Sequence, residues 1–433
     1  MDISLSLIKN RLFKNISWLM AEKLIRMSIN FVIFGLLARY LGVSKFGTFS
    51  YFLTIVYLLN PFWTLGTNQI IKDKMSKNPN DKEKYIWAGI VIKLSTSLIL
   101  LGLSTFYILF FDDVFEQSVD KYLFLVLLFS YLFRSVDVFE LWFDSQIRSK
   151  HSSIVKVFAF LFTSVFYIIG VFLKFSILYF GICFIFEFLL VGFGYLYIYF
   201  KRDSNILKFE ISGDVIRNIL VISLPIFFAD ISITIFTRIN QVMLNHYIDK
   251  EAVGIFAAAM RLTEIWLFIA ASICITFFAP IVIAGKEKNR EFQMLVRRLF
   301  NLVNVISCFI IVVVFIFASP IVLVVFGKDY LKSVHILQIL IWSNLFVFWS
   351  YAQEPWDIAK GMIKFRFFRV SLGACLNIVL NMVLIPSHGC VGAAYSTLIS
   401  YAVAYFLCNI CTKTSREIFI IQLKSFMFWK SGY

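Results

Sequence analysis

Long apolar stretches alternate with short polar ones along this chain. Twelve of them read as membrane-crossing helices: residues 16–39, 46–70, 86–110, 122–143, 154–173, 175–200, 217–245, 253–284, 297–318, 334–353, 366–385 and 391–411. Each has at least 20 residues, and a rise of about 1.5 Å per residue carries that length across about 30 Å of hydrocarbon. The first run follows Lys9, Arg11 and Lys14, yet it is too long for a leader's apolar region and has no small-residue cleavage site, so it reads as a retained first span. It is also not uniformly apolar. Trp18, Glu22, Arg26 and Asn30 recur every fourth residue, with Lys23 beside them, which lays a polar stripe along one face. Ionisable groups in a span face each other, the bundle interior or a water-filled path. Glu22 and Arg26 have the spacing of a neutralising pair, and the wider stripe also suits the wall of a hydrophilic cavity.

The polar segments set an orientation. With the N-terminus inside, 28 of the 41 basic residues fall in inner segments and seven in outer ones. The segment Asp112-Asp113-Val114-Phe115-Glu116 then forms an acidic outer loop. Both termini are therefore expected in the cytoplasm. The net charge of +15 becomes a row of inner-leaflet anchors and implies no nucleic-acid partner. Hydrophobic residues make up 60% of the 433 and charged residues 15%, against about 45–50% and about 25% in soluble domains. The seven cysteines lie in or at the ends of apolar segments, and Cys408 and Cys411 lack a second pair with which to hold zinc. No metal or cofactor is expected.

The chain also repeats itself. Tyr40-Leu41-Gly42-Val43-Ser44-Lys45-Phe46-Gly47-Thr48-Phe49 aligns with Tyr247-Ile248-Asp249-Lys250-Glu251-Ala252-Val253-Gly254-Ile255-Phe256, sharing Tyr, Gly and Phe. Weaker echoes set Phe143-Asp144 against Trp356-Asp357 and Lys156-Val157 against Arg369-Val370. Both halves begin inside, so the repeat is parallel, and a substrate site is expected between the halves. The expected fold is an all-α polytopic membrane protein of about twelve transmembrane helices in two six-helix lobes, 1–200 and 217–411. A cytoplasmic linker at 201–216 and a tail at 412–433 complete it. In the tail, Ile418-Phe419-Ile420-Ile421 and Phe426-Met427-Phe428-Trp429 read as an interfacial segment. The first helix of the second half has its own stripe, Asp230, Thr234 and Arg238, then Gln241. Charges also fall within spans at Lys93, Arg134, Asp137, Glu140, Glu187, Arg261 and Glu264. Arg261 and Glu264 are spaced to pair, and Lys93 has the reach to snorkel.

The segment Ala38-Arg39-Tyr40-Leu41-Gly42 followed by Phe46-Gly47, the charged first helix and the two six-span halves resemble the Wzx-type polysaccharide flippases of the multidrug/oligosaccharidyl-lipid/polysaccharide exporter superfamily. Gly66 and Val391-Gly392-Ala393-Ala394 are softer matches. Gly42 and Gly47 suit a tight outer turn and a close helix approach. The resemblance implies a bacterial inner-membrane protein that moves an undecaprenyl-diphosphate-linked oligosaccharide unit to the periplasmic leaflet by alternating access, coupled to H+ or Na+. A polysaccharide polymerase and a chain-length regulator are the partners it implies. Guanidinium groups suit a diphosphate, so Lys23, Arg26, Asn30, Arg238, Gln241 and Arg261 are the candidate substrate contacts. Glu22, Asp230 and Glu264 are the candidate coupling carboxylates. Alternatives are a multidrug/cation antiporter or a lipid II flippase of the same superfamily. A membrane glycosyltransferase or polymerase fits less well, because the external loops are short and no nucleophile elbow, phosphate loop or histidine cluster is present.

Overall fold

A chain that crosses hydrocarbon must satisfy its backbone hydrogen bonds internally, and long helices do so within one segment. The computed structural model describes residues 2–110, 118–203, 210–287 and 290–426, and within them every crossing is helical with no strand. The α-helices are α1 (Asp2–Thr64), α2 (Thr67–Lys77), α3 (Lys82–Phe110), α4 (Ser118–Arg134), α5 (Val138–Ser145), α6 (Ser149–Phe172), α7 (Ile177–Arg202) and α8 (Gly213–Tyr247). They continue as α9 (Lys250–Glu264), α10 (Leu267–Glu287), α11 (Arg290–Ile316), α12 (Ala318–Val325), α13 (Ser333–Ala359), α14 (Ile363–Tyr405) and α15 (Ser415–Lys424). The acidic segment 112–116, linker residues 204–209 and the tail beyond Phe426 lie outside the described residues.

Among the described residues, ten helical stretches are long and apolar enough to cross a membrane, and two of them, Ser17–Thr64 and Ile363–Ile410, hold 48 residues each. Forty-eight residues at 1.5 Å reach roughly 72 Å, more than two bilayer thicknesses. Each long stretch folds back at a glycine with left-handed φ: Gly42 (φ 72°, ψ 172°) in α1 and Gly389 (φ 58°, ψ −137°) in α14. Counting those two stretches twice makes twelve crossings among the described residues, as the hydrophobic pattern implies. The tight turn expected at Gly42 is present.

Several crossings are less regular than the pattern suggests. The second ends at Thr64, because Leu65 (φ 48°) and Gly66 (φ 68°) turn the chain into the separate helix α2. The fourth breaks into α4 and α5 around a 3₁₀ turn at Ser135–Asp137. The eighth divides into α9 and α10 around Ile265 and Trp266. Between α11 and α13 lies the unforeseen short apolar helix α12. Three of the charges embedded in spans, Arg134, Asp137 and Glu264, stand at these breaks.

The chain divides into two compact units, Met1–Leu41 with Phe52–Ile231, and Gly42–Tyr51 with Ser232–Tyr433. The division falls inside α8, whereas the sequence reading set it at 201–216. The first unit has an aromatic and aliphatic core that includes Phe139, Trp142, Phe143, Tyr195 and Tyr199. In the second unit α13 is central, packed against α9, α10, α11, α12 and α14. Helix α15 spans ten residues, about 15 Å and too short to cross. It docks on this unit through buried Ile418 and Gln422. The Gln422 side chain bonds that of Asn409 (3.1 Å) and the backbone carbonyl of Tyr405 (2.9 Å).

Inside the second unit the two repeated turn segments meet. A Cβ on Gly47 would lie 1.8 Å from the Lys250 carbonyl oxygen, and one on Gly254 would lie 2.3 Å from that of Val43. Gly47 and Gly254 are repeat equivalents, as are Val43 and Lys250. The motif therefore packs against its own copy, at a separation that only glycine permits.

Candidate functional site

Each unit carries a group of charged side chains within its membrane-spanning helices. In the first, α1 supplies Glu22 and Arg26, one helical turn apart. The Arg26 guanidinium donates through Nη1 to Glu22 Oε1 (3.3 Å) and through Nη2 to Glu187 Oε1 of α7 (2.7 Å). It also lies 5.3 Å from the centre of the Phe160 ring. The second carboxylate oxygen of Glu22 is 3.8 Å from Lys156 Nζ of α6. Lys156 in turn makes a close ion pair with Glu140 of α5, which accepts from the Tyr195 hydroxyl at 3.0 Å. Three carboxylates thus face two cations. Glu22 and Glu187 are almost wholly buried, while the Arg26 side chain keeps 30% of its surface. Burying such charges is costly unless each is paired and hydrogen-bonded, and this chain of contacts meets that condition.

A second set of charges surrounds Trp63 in the same unit. Lys93, 1% exposed, sits 4.8 Å from the Trp63 ring centre, and the Arg134 guanidinium sits 4.6 Å from it. Arg134 also reaches Asn60 Oδ1 (3.3 Å) and lies 3.8 Å from Asp137 across the 3₁₀ turn. Lys93 does not snorkel to the surface. It is held inside by an aromatic face, which attracts a desolvated cation.

The sequence-derived candidates divide accordingly. Glu22 and Arg26 form the expected pair, but Glu187 is an equal partner that spacing could not reveal. Its signal was its isolation as the one acid in a very apolar span. Lys156, counted among the inner anchors, instead points into the cluster. On α1, Lys23 is exposed and Asn30 half-buried, and neither has a hydrogen bond or ion pair among the described residues. Half-buried Asp230 likewise has no such partner among them, and it belongs to the first-unit portion of α8.

In the second unit Arg238 Nη1 lies 3.1 Å from Glu264 Oε1, and Arg261 Nη1 lies 3.9 Å from Glu264 Oε2. The structure therefore joins Arg238, Arg261 and Glu264 into one group, with Glu264 central. Gln241 is buried. Glu264 also lines a cavity of about 250 Å³ bounded by α8, α9, α13, α14 and the start of α10. Two further ion pairs line it: Arg366 to Glu354 at 2.7 Å, and Arg369 to Asp357 at 2.6 Å. The latter is almost fully buried and continues through Arg369 Nη1 to Asn409 Oδ1 (2.6 Å). The repeat echo pairs Asp144 and Lys156 with Asp357 and Arg369, yet only the second couple bonds to each other. Asp144 is met by Lys72 at 3.5 Å and Ser149 at 2.5 Å.

The profile of the family described as "polysaccharide biosynthesis protein" matches residues 12–283. Among relatives, the capsular polysaccharide biosynthesis protein CapF of Staphylococcus aureus is 28% identical over 55% of this chain and 61% of its own length. A Haloferax volcanii protein described as "probable low-salt glycan biosynthesis flippase Agl15" is 26% identical over 39% of this chain and 36% of its own. The matched region therefore spans less than two thirds of these curated relatives. Solved structures extend the likeness over nearly the whole chain. The lipid II flippase MurJ in an inward closed conformation superposes with a TM-score of 0.74 at 17% identity, covering 94% of this chain and 91% of that one. An inward-facing multidrug resistance transporter of the MATE family and MOP superfamily gives 0.64 at 14% identity, covering 95% and 96%. At those identities the likeness establishes a shared fold.

Proposed function

The chain belongs to the polysaccharide biosynthesis protein family, and on that premise we propose that it is a flippase for a lipid-linked oligosaccharide. In this reading it carries an undecaprenyl-diphosphate-linked repeat unit from the cytoplasmic to the outer leaflet of the plasma membrane, by alternating access and without covalent change. In this reading both termini lie in the cytoplasm, the side that the bias of Lys and Arg favours.

The observation that carries the reading is Arg26. Its guanidinium is embedded in a membrane-spanning helix, part exposed, and shared between two buried carboxylates. A diphosphate is a stronger partner for such a fork than a single carboxylate, because it offers several charged oxygens in bidentate geometry. When phosphate takes Arg26, Glu187 loses its ion-pair partner and Glu22 keeps only Lys156 at 3.8 Å, so the pair of acids is left short of positive charge and favours gaining a proton or a Na+. Loading the substrate is then linked to loading a coupling ion. Glu264, shared by Arg238 and Arg261, offers the same exchange in the second unit, and Asp230 is a further carboxyl suited to taking up the ion.

The test is genetic and chemical. Cells lacking the protein should lose surface polymer while still assembling the lipid-linked unit, which accumulates on the cytoplasmic side. Arg26→Ala should lose export to a greater extent than its lowered protein level accounts for, and Arg26→Lys should restore part of the export. Absence of the lipid-linked unit, or an outer unit that is present but wrongly polymerised, would make the chain an enzyme and refute the reading.

A further inference from the structure

The cavity of the second unit plays no part in the diphosphate exchange at Arg26, and its lining has a different character. It follows α13 from Ser343 to Asp357, fifteen residues whose ends lie roughly 21 Å apart along the helix. Three tyrosines, Tyr351, Tyr401 and Tyr405, contribute to its wall. None of their hydroxyls makes a hydrogen bond among the described residues, although Tyr401 is only 7% exposed. Buried phenol groups ordinarily find a partner, so these three leave donors and acceptors directed at whatever fills the space.

The charged groups in the wall are already neutralised. Glu264 is held by Arg238, Glu354 by Arg366 and Asp357 by Arg369. In this resting pairing each of these acids already has its guanidinium, and only Glu264, the acid offered for ion exchange, would be freed on loading. Each pair still offers lone pairs and N–H groups at its edges. Neutral hydroxyls can use both without displacing either partner. Aromatic faces, unpaired phenol groups and pre-neutralised acid–guanidinium pairs together suit a polyhydroxylated ring. A volume of about 250 Å³ amounts to on the order of eight waters, the scale of one sugar residue rather than an oligosaccharide.

We propose that this cavity is a monosaccharide subsite, holding one sugar of the glycan through Tyr351, Tyr401 and the Glu354–Arg366 pair. The proposal rests on the flippase reading for the source of the sugar, but binding is measurable without transport.

The experiment uses the full-length protein in lipid nanodiscs. Its probes are the methyl glycosides of glucose, galactose, mannose, N-acetylglucosamine and N-acetylgalactosamine, with tetraphenylphosphonium and inorganic diphosphate as contrasting charged probes. Saturation-transfer NMR should detect at least one glycoside. Tyr351→Phe and Tyr401→Phe, which keep ring and volume, should each weaken it about fivefold, the value of one hydrogen bond, with unchanged melting temperature. Ser350→Leu, which fills the space, should abolish the signal. No bound glycoside, equal binding by both Phe variants, or a cavity that takes tetraphenylphosphonium or diphosphate in its place would overturn the proposal. Failure here leaves the flippase reading to the accumulation assay in cells, which does not depend on this cavity. The two failures are therefore distinguishable.

Discussion

Replacing Gly47 with alanine tests the crossing of the repeated segments directly. The added methyl would sit 1.8 Å from the Lys250 carbonyl oxygen and 2.9 Å from the Gly254 nitrogen. Both obstacles are backbone, so no rotamer change relieves them. Even a tight contact of 3.0 Å requires the helices to part by about 1.2 Å. The separation would disturb a packed surround, since Phe46, Phe49, Val253 and Phe256 are each at most 1% exposed. Phe46 also meets the rings of Phe326 and Tyr330 at 6.4 and 5.9 Å. Overpacking a close-packed interior costs about 1–3 kcal/mol, and an immovable obstacle argues for the upper end, about 3 kcal/mol. Gly254→Ala, facing the Val43 oxygen at 2.3 Å, should cost slightly less. Gly42→Ala meets nothing within 4 Å and should cost only the strain of its positive-φ backbone, about 1–3 kcal/mol. The double change Gly47→Ala with Gly254→Ala should cost less than the sum, because one separation accommodates both methyl groups. Gly102→Ala, in the exposed middle of α3 with nothing within 4 Å, serves as control and should be neutral or slightly stabilising. Thermal unfolding of the purified protein in detergent ranks the five variants. Gly47→Ala melting with the parent while Gly42→Ala falls further would refute the contact.

Arg26→Gln should lower protein abundance by leaving Glu187 buried without its cation and Glu22 with only Lys156 at 3.8 Å, at about 3–5 kcal/mol. Glu22→Gln with Arg26→Gln should not be silent, since Glu187 stays unpaired, and adding Glu187→Gln should restore abundance in an immunoblot but not export. Asp357→Asn should destabilise by a similar amount, and Asp357→Leu with Arg369→Met by less than either single change, read as melting temperature. Truncation before Ser415 should expose Asn409 and lower the melting temperature through loss of the Gln422 contacts. In a variant stripped of its cysteines, a single cysteine at 249–251 should react with an impermeant thiol reagent added outside. One at 73–84 should react only after permeabilisation, and the reverse pattern would invert the topology.

The hydrophobic pattern revealed the crossings because lipid imposes one rule on every residue of a span. It also exposed the turn at Gly42, since a charged, apolar-flanked Gly-x-x-x-x-Gly segment has few other uses. It did not reveal the helix breaks at 65–66, 135–137 and 265–266, which depend on local backbone geometry that hydropathy does not register. Among the site residues, Glu22 with Arg26 and Arg261 with Glu264 were legible because helical spacing encodes neighbours within one helix. The contacts Arg26–Glu187, Lys156–Glu140 and Arg369–Asp357 join different helices, and their partners are set by packing. Lys156 was misplaced for a related reason. Near a helix end, the same residue serves equally as a headgroup anchor or as an inward counter-ion, and only the acids of neighbouring helices decide between them.

The Gly47–Gly254 crossing has the form of an isologous contact, in which one patch faces its own copy and each member touches the equivalent of what touches it. A homodimer would place identical residues on both sides, and one substitution would be felt twice. Joined in a single chain, the two copies have been free to differ. One enters its helix through the left-handed Gly42, the other through Asp249, whose extended backbone lets its carboxylate accept the Ala252 N–H at 2.7 Å. Exchanging those two residues would therefore not be symmetrical. Aspartate at 42 inherits a strained φ, whereas glycine at 249 loses only a cap. Beside the shared Tyr and Phe, the copies keep the pair of glycines at the crossing, where neither can change without the other having to make room.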